Sequence, residues 1–239
     1  MYGKRLRIGY TSVAYVTEVF TQAFYRMAPQ NVSLALLTIH QNAVTKAEMD
    51  RLYDQSMESA RALAKTGVDI LVLGGRPVLL SRGAGNLPNL IAALEKELGV
   101  RVTTDATAQL AAFHALGSKL IGTSQPFGAS HNDRFNAMIT EMGLTPTGCN
   151  AIESNLIDLP TVPTEACRDL ARALKVERPE TDTILFPCPH WAVVDAIDPL
   201  EKELDVNIVT NLQATLWHSL RACSISDRIN GFGRLLRDY

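Results

Sequence analysis

Several sequence signatures of common protein classes are missing from this 239-residue chain. Its four cysteines, Cys149, Cys167, Cys188 and Cys223, form no Cys-x-x-Cys pair, so free thiols in a reducing cytosol are expected. No apolar stretch reaches membrane-spanning length. No block of like charge occurs and the formal net charge is −2, which argues against nucleic acid or an anionic membrane as a partner.

Motifs for exported proteins, metals and organic cofactors are missing as well. The basic residues near the start are not followed by a long apolar core, so no signal peptide is indicated and a cytoplasmic location is expected. Neither Gly-x-Ser-x-Gly, His-Glu-x-x-His, a Walker loop nor Gly-x-Gly-x-x-Gly occurs. Cys188 and His190 supply at most two metal ligands, so we expect no metal and no cofactor.

An alternation of short apolar runs with longer helical segments organises the chain. The apolar runs, which are rich in Val, Ile and Leu and are typical of strands, are RIGYTS, VSLALLTI, VDILVLGG, VRVTT, KLIGTS, DTILFPC and VNIVT. Helical periodicity is clearest over residues 45–67 and 132–143, each of which ends on glycine. This pattern predicts an α/β fold with parallel sheet and flanking helices.

An internal repeat divides the chain into two similar parts. LEKELGVRVTTDATAQL, from Leu94, is matched by LEKELDVNIVTNLQATL, from Leu200, and KRLRIGYTS near the start resembles SKLIGTSQ at Ser118. The alternative explanation is that the patterns common to all α/β proteins make any two segments look alike, but the matching flanks favour duplication. The predicted domains are a first α/β half, 1–117 plus the tail 226–239, and a second half, 118–225. Because ligands collect at the carboxyl ends of parallel strands, the active site is predicted between these pseudo-symmetric halves.

Cys188 is the predicted catalytic residue. It ends an apolar run, and Pro189, which cannot donate a backbone hydrogen bond, follows it at once. A thiol at a strand end can exchange a proton with a substrate. The alternative is a small buried apolar side chain, which is our interpretation of the other three cysteines.

Polar groups at the neighbouring strand ends are predicted to bind the substrate. Two glycines permit close backbone approach and present N–H groups, an arginine can grip a carboxylate, and a Thr-Ser-Gln run offers donors for a negative oxygen. The alternatives are a plain turn, a solvated charge and a helix cap. The predicted binding residues are Gly74, Gly75, Arg76, Thr123, Ser124, Gln125 and His190. His190 either tunes the thiol or orients the carboxylate, or else packs under Trp191. His40 is a weaker candidate.

These segments resemble the aspartate/glutamate racemase superfamily, and within it the arylmalonate decarboxylase and maleate isomerase branch. The resemblance spans nearly the whole chain and is strongest in VDILVLGGRPVLLSRG, GLTPTGC, DTILFPCPHWAVVDAI and GFGRLL. Racemases and isomerases of the superfamily carry one catalytic cysteine in each half, whereas the decarboxylases keep only the second. Cys188 matches the retained cysteine, and Gly74 or Gly75 matches the missing one. The family usually has glycine after this cysteine, where this chain has Pro189.

The resemblance implies a cofactor-independent carbon–carbon lyase that acts on a small carboxylic acid. Such an enzyme decarboxylates a malonate-type acid to an enediolate, which Cys188 protonates. The first alternative is maleate cis-trans isomerase-like or racemase activity on a small acid, and the second is a carboxylate-binding protein without turnover. The sequence leaves a homo-oligomer open beside a monomer.

Overall fold

Two parallel four-stranded sheets form the framework of the protein. The computed structural model describes residues 4–14, 17–42, 45–75, 79, 81–154 and 157–239. The first sheet has the order β2-β1-β3-β4 and the second the order β6-β5-β7-β8, and every pairing is parallel. The strands are β1 (Leu6–Val13), β2 (Val32–Ile39), β3 (Ile70–Leu73), β4 (Arg101–Thr104), β5 (Leu120–Gln125), β6 (Thr145–Ala151), β7 (Thr183–Phe186) and β8 (Asn207–Thr210).

Nine α-helices connect and flank these strands in the described part of the chain. They are α1 (Glu18–Met27), α2 (Lys46–Ala64), α3 (Leu87–Leu98), α4 (Asp105–Leu116), α5 (Asn132–Glu141), α6 (Thr164–Glu177), α7 (Ile197–Leu204), α8 (Asn211–Ala222) and α9 (Gly233–Asp238). The two segments with the clearest helical periodicity are α2 and α5, as predicted. The α/β fold with two similar parallel sheets is therefore confirmed.

Among the strands of the described residues, β6 is the one that the sequence did not predict. Its residues, TPTGCNA, contain a proline and a glycine, are only partly buried and have no apolar run. They form an edge strand, which has a hydrogen-bonded neighbour on one side only, so proline is tolerated there. The central strands β3 and β7 are buried at every position, which explains their continuous apolar sequences.

The repeated LEKEL segment has the same structural task in both sheets. Glu95 accepts a hydrogen bond from the Val102 amide at 2.9 Å, and Glu201 accepts one from the Ile208 amide at 3.2 Å. Each glutamate thus satisfies an N–H group at the start of the strand that follows its helix. This shared contact is a physical reason for the repeat.

Contacts divide the chain into two units whose bounds differ from the predicted halves. The first unit comprises Met1–Tyr15, Ala28–Ala108 and His218–Ser226, and the second comprises Val16–Met27, Gln109–Trp217 and Asp227–Tyr239. The first sheet lies in the first unit and the second sheet in the second.

The tail, residues 226–239, shows why the units defined by contacts differ from the halves predicted from the sequence. The sequence predicts residues 226–239 as part of the first half, whereas the amides of Gly233 and Arg234 donate to Asp198 and Glu201 on α7, at 2.8 and 2.7 Å. These bonds satisfy N–H groups at the start of α9 and hold the tail in the second unit.

Candidate active site

Cys188 follows the central strand β7 and opens the loop that leads to α7. It lies two residues beyond Phe186 and is 4% exposed. Burial raises the pKa of the thiol to about 12, and hydrogen bonds from the backbone N–H groups of His190 and Trp191 oppose part of that rise. Pro189 has no N–H group, so the donors to the sulfur are the next two backbone amides of the loop. At neutral pH Cys188 is therefore a thiol that still carries its proton.

The His190 imidazole is buried against an aromatic ring rather than placed beside the thiol as a charge. It is 5% exposed, and its ring centroid lies 5.5 Å from that of Phe20 with an interplanar angle of 31°. Burial lowers the pKa of His190 to about 4, so the ring is neutral near pH 7. The ring contact is with Phe20 and not with Trp191, and the roles of tuning the thiol or orienting a carboxylate stay predictions.

Three further contacts anchor the rest of this loop. The Trp191 ring lies edge-on to Phe186, with centroids 5.7 Å apart. The Thr164 hydroxyl at the start of α6 donates to the carbonyl of Ala192 at 3.1 Å. Farther along, Arg26 on α1 pairs with the Asp195 carboxylate. The loop that carries Cys188 is thus held from α1, β7 and α6, all within the second unit.

The predicted donors on β5 have different surroundings, although all three are fully buried. The Ser124 hydroxyl donates to Asn150 Oδ1 at 2.8 Å. Gln125 Nε2 donates to the Gly128 carbonyl and to Asn132 Oδ1, at 2.8 and 2.9 Å. The Thr123 hydroxyl has no hydrogen-bond partner among the residues that the structure describes. Thr123 is consequently the residue of this run whose buried hydroxyl has no partner in the described part of the chain.

The two glycines of the first unit follow β3 but have different environments. The Gly74 amide donates to the Thr11 carbonyl at 3.0 Å, and a Cβ at Gly74 would lie 2.5 Å from that oxygen. Gly75 has φ +88°, a left-handed conformation that glycine adopts without strain, and a Cβ there would lie 2.8 Å from Val13 Cγ2. Arg76, the third predicted residue of this loop, lies outside the described residues.

Strand register identifies which glycine corresponds to Cys188. Ile8 in β1 pairs with Ile70 in β3, and Ile121, its counterpart in the repeat, pairs with Thr183 in β7. Gly75 lies five residues beyond Ile70, and Cys188 lies five residues beyond Thr183. Gly75 is therefore the counterpart of Cys188, whereas the sequence alone left a choice between Gly74 and Gly75.

A polar cavity of about 320 Å³ lies beside the end of β2, where His40 was a weaker candidate. Arg51 lines it, but the guanidinium already donates to Glu48, to Gln55 and to the His40 carbonyl, at distances of 2.6 to 2.8 Å. Glu48 neutralises this arginine, and the Arg51 hydrogen bond in turn lowers the pKa of Glu48 to about 2. Among its described lining residues, the cavity therefore offers a carboxylate no arginine or lysine that lacks a counter-charge.

Neither a metal site nor a membrane-spanning helix is found among the residues that the structure describes. No three His, Cys, Asp or Glu side chains within them are grouped as ligands for a metal ion. None of their helices combines the length and the apolar character needed to cross a bilayer.

The sequence did not predict the contacts that Phe20 and Arg26 make with the Cys188 loop, or the hydrogen bond between Ser124 and Asn150. Phe20 and Arg26 precede the Cys188 loop by about 170 residues, so no local pattern links them to it. The amphipathic pattern of α1 indicates a buried face but not the surface that covers it. Asn150 lies in the unpredicted strand β6.

The two parallel sheets and the thiol that follows β7 define a class of two-sheet α/β proteins with an internal repeat. Comparison with known proteins gives the family. A profile of the arylmalonate decarboxylase family matches residues 24–236. The chain belongs to this family, whose characterised members are enzymes. An arylmalonate decarboxylase from Bordetella bronchiseptica is 29% identical over 195 residues, which cover 81% of each chain.

Solved structures agree with this assignment. The liganded form of an arylmalonate decarboxylase double mutant superposes with a TM-score of 0.87 and 25% identity, over 98% of this chain and all of the other. The maleate isomerase Iso from Pseudomonas putida S16 gives a TM-score of 0.84 at 20% identity, and the match covers 98% of each chain. At that identity the isomerase shows a shared fold.

Proposed function

We propose that this protein is a cofactor-independent decarboxylase that removes CO2 from a small malonate-type acid. Loss of CO2 leaves an enediolate, in which negative charge is spread over the remaining carboxylate and the adjacent carbon. The S–H bond of Cys188 then breaks, its proton forms the new C–H bond, and the thiolate remains on the enzyme. A proton from one fixed group reaches one face of the carbon, so a single enantiomer results.

One observation carries this proposal, namely that only one repeat has a thiol after its central strand. Cys188 follows β7, and its counterpart after β3 is Gly75. A racemase needs an acid/base group on each side of the carbon, whereas a decarboxylase needs one proton donor. The left-handed backbone at Gly75 disfavours any side chain there, so the first repeat is shaped for glycine.

The state of the thiol supports an acid rather than a nucleophile. Maleate isomerase-like chemistry would have the cysteine add to a double bond, which requires a thiolate and so a depressed pKa. Burial instead raises the pKa of Cys188 to about 12, and the neutral His190 provides no cation to offset it. A protonated, buried thiol suits transfer of a proton to a strongly basic carbanion.

Hydrogen-bond donors would stabilise the enediolate charge. Among the predicted binding residues, we assign the role of donor to the enediolate first to Thr123, because its buried hydroxyl has no partner among the described residues. Gly74, Gly75, Arg76, Ser124, Gln125 and His190 stay predicted binding residues. The substrate is a small carboxylic acid, and a cytoplasmic location and a homo-oligomeric state are further predictions.

A substrate panel in deuterated water tests the proposal. The purified protein is incubated with disubstituted malonates, maleate and single-enantiomer acids, and CO2, deuterium and product configuration are followed. Decarboxylation predicts CO2 release with one deuterium at the α-carbon, in one configuration, and a large loss of turnover in Cys188→Ala. Interconversion without CO2 release would instead support the isomerase or racemase. Binding of acids without any turnover would point to the carboxylate-binding alternative.

A further inference from the structure

We propose that Phe20 on α1 is a positioning residue for the proton donor, because its ring holds the peptide whose N–H group donates to the Cys188 sulfur. The inference rests on the proposed function, in which the Cys188 thiol protonates the substrate. It assigns a part in the reaction to a helix that lies between β1 and β2 in the sequence and yet belongs to the unit that contains Cys188.

The sulfur contacts link Cys188 to two aromatic anchors. Its hydrogen-bond donors are the amides of His190 and Trp191, which are consecutive residues. The His190 ring lies against Phe20, and the Trp191 ring lies against Phe186. A peptide between two anchored rings has little freedom to turn its N–H groups away from the sulfur. Phe186 is part of β7 itself, so Phe20 is the anchor supplied from outside the strand.

The position of Phe20 makes it suited to this task. It is fully buried, and the helix around it is also tied to the loop by the ion pair between Arg26 and Asp195. That pair is about half exposed, and surface pairs contribute about 0–1 kcal/mol, so it cannot hold the loop by itself. The buried ring contact is thus a second link from α1 to the loop, and one that is shielded from solvent.

The arrangement matters at the moment of proton transfer. When the S–H bond breaks, negative charge appears on a sulfur that is buried, and the two amides are the groups that stabilise it. They also fix the direction in which the proton leaves. Loss of the Phe20 ring should slow the transfer and weaken its selectivity for one face, while substrate binding stays nearly the same.

The test compares Phe20→Leu with Phe24→Leu, a matched control on the same helix. Both phenylalanines are buried, but Phe24 has its ring contact with the neighbouring Tyr25. For each variant, kcat, KM and product enantiomeric excess are measured on the substrate found in the panel. Hydrogen exchange of the His190 and Trp191 amides is measured in parallel, because it needs no turnover. If Phe20→Leu does not fold, Phe20→Met replaces it, since methionine fills most of the volume without a ring.

For Phe20→Leu we expect a fall of at least about tenfold in kcat with KM within about twofold, and a lower enantiomeric excess. Exchange of both amides should be at least about tenfold faster, and Phe24→Leu should change neither. Unchanged exchange, unchanged kcat in an active enzyme, or equal effects of the two variants would each overturn the proposal. If the parent protein turns over no substrate but Phe20→Leu still releases the two amides selectively, the anchoring stands and the proposed function is what has failed.

Discussion

Replacing Gly74 by alanine should destabilise the protein strongly, although the change adds one methyl group. The new Cβ would lie 2.5 Å from the Thr11 carbonyl oxygen and 2.8 Å from Tyr10 Cζ. The carbonyl cannot move away cheaply, because it accepts the Gly74 amide at 3.0 Å within the sheet. Tyr10 is itself 2% exposed, so its ring has little room to shift.

Overpacking of this kind costs about 1–3 kcal/mol in ordinary cores, and the backbone contact puts Gly74→Ala at or above the upper end. For a chain of this size, about 3 kcal/mol lowers Tm by roughly 6–12 °C. Thermal unfolding and urea titration would measure the loss. Gly85→Ala is the matched control, because nothing lies within 4 Å of a Cβ at that position. A loss below about 1 kcal/mol for Gly74→Ala, or equal losses for both variants, would refute the packing argument.

Three further predictions concern protonation. Burial lowers the pKa of His190 to about 4. This pKa lies below the value of about 6.5 in the unfolded chain, so the protein should lose about 3 kcal/mol of stability as the pH falls from 7 to 4. Urea titrations should show this loss in the parent protein and not in His190→Gln. The Cys188 thiol should resist iodoacetamide at pH 7, since a pKa of about 12 leaves about one molecule in 10⁵ with a thiolate. Rapid alkylation of Cys188, located by mass spectrometry, would contradict the burial argument. Burial raises the pKa of Glu201 in the folded protein. Its contribution to the free energy of unfolding is therefore present below the pKa of the unfolded chain, and it is lost as the pH rises through the pKa of the folded protein. The stability of the parent relative to Glu201→Gln should fall as pH rises from about 4 to 7, and a flat difference would show that Glu201 has an ordinary pKa.

The sequence was most informative where one local pattern dominates. Buried parallel strands are covered on both faces, so β3 and β7 are continuous apolar runs and could be recognised. The helical period of α2 and the repeated LEKEL segments also reflect local requirements. Edge strand β6 could not be recognised because half-buried positions accept proline, glycine and asparagine.

The environment of the site was less predictable, because it depends on contacts between distant residues. The placement of Cys188 after a strand followed from the sequence, but its burial and its two amide donors did not. His190 was recognised as a neighbour of the thiol, whereas its partner Phe20 is 170 positions away. Gly75 was distinguished from Gly74 only by strand register, which a sequence does not contain.

The most direct test of the central claim is single-turnover labelling with the parent protein and Cys188→Ala. Each is given a prochiral disubstituted malonate in deuterated water, and CO2 release and the configuration of the deuterated acid are recorded. If the Cys188 thiol delivers the proton, the parent forms one enantiomer and the variant loses about 10²- to 10⁴-fold in rate. Equal rates and equal enantiomeric excess for the two proteins would show that another group, or water, delivers the proton.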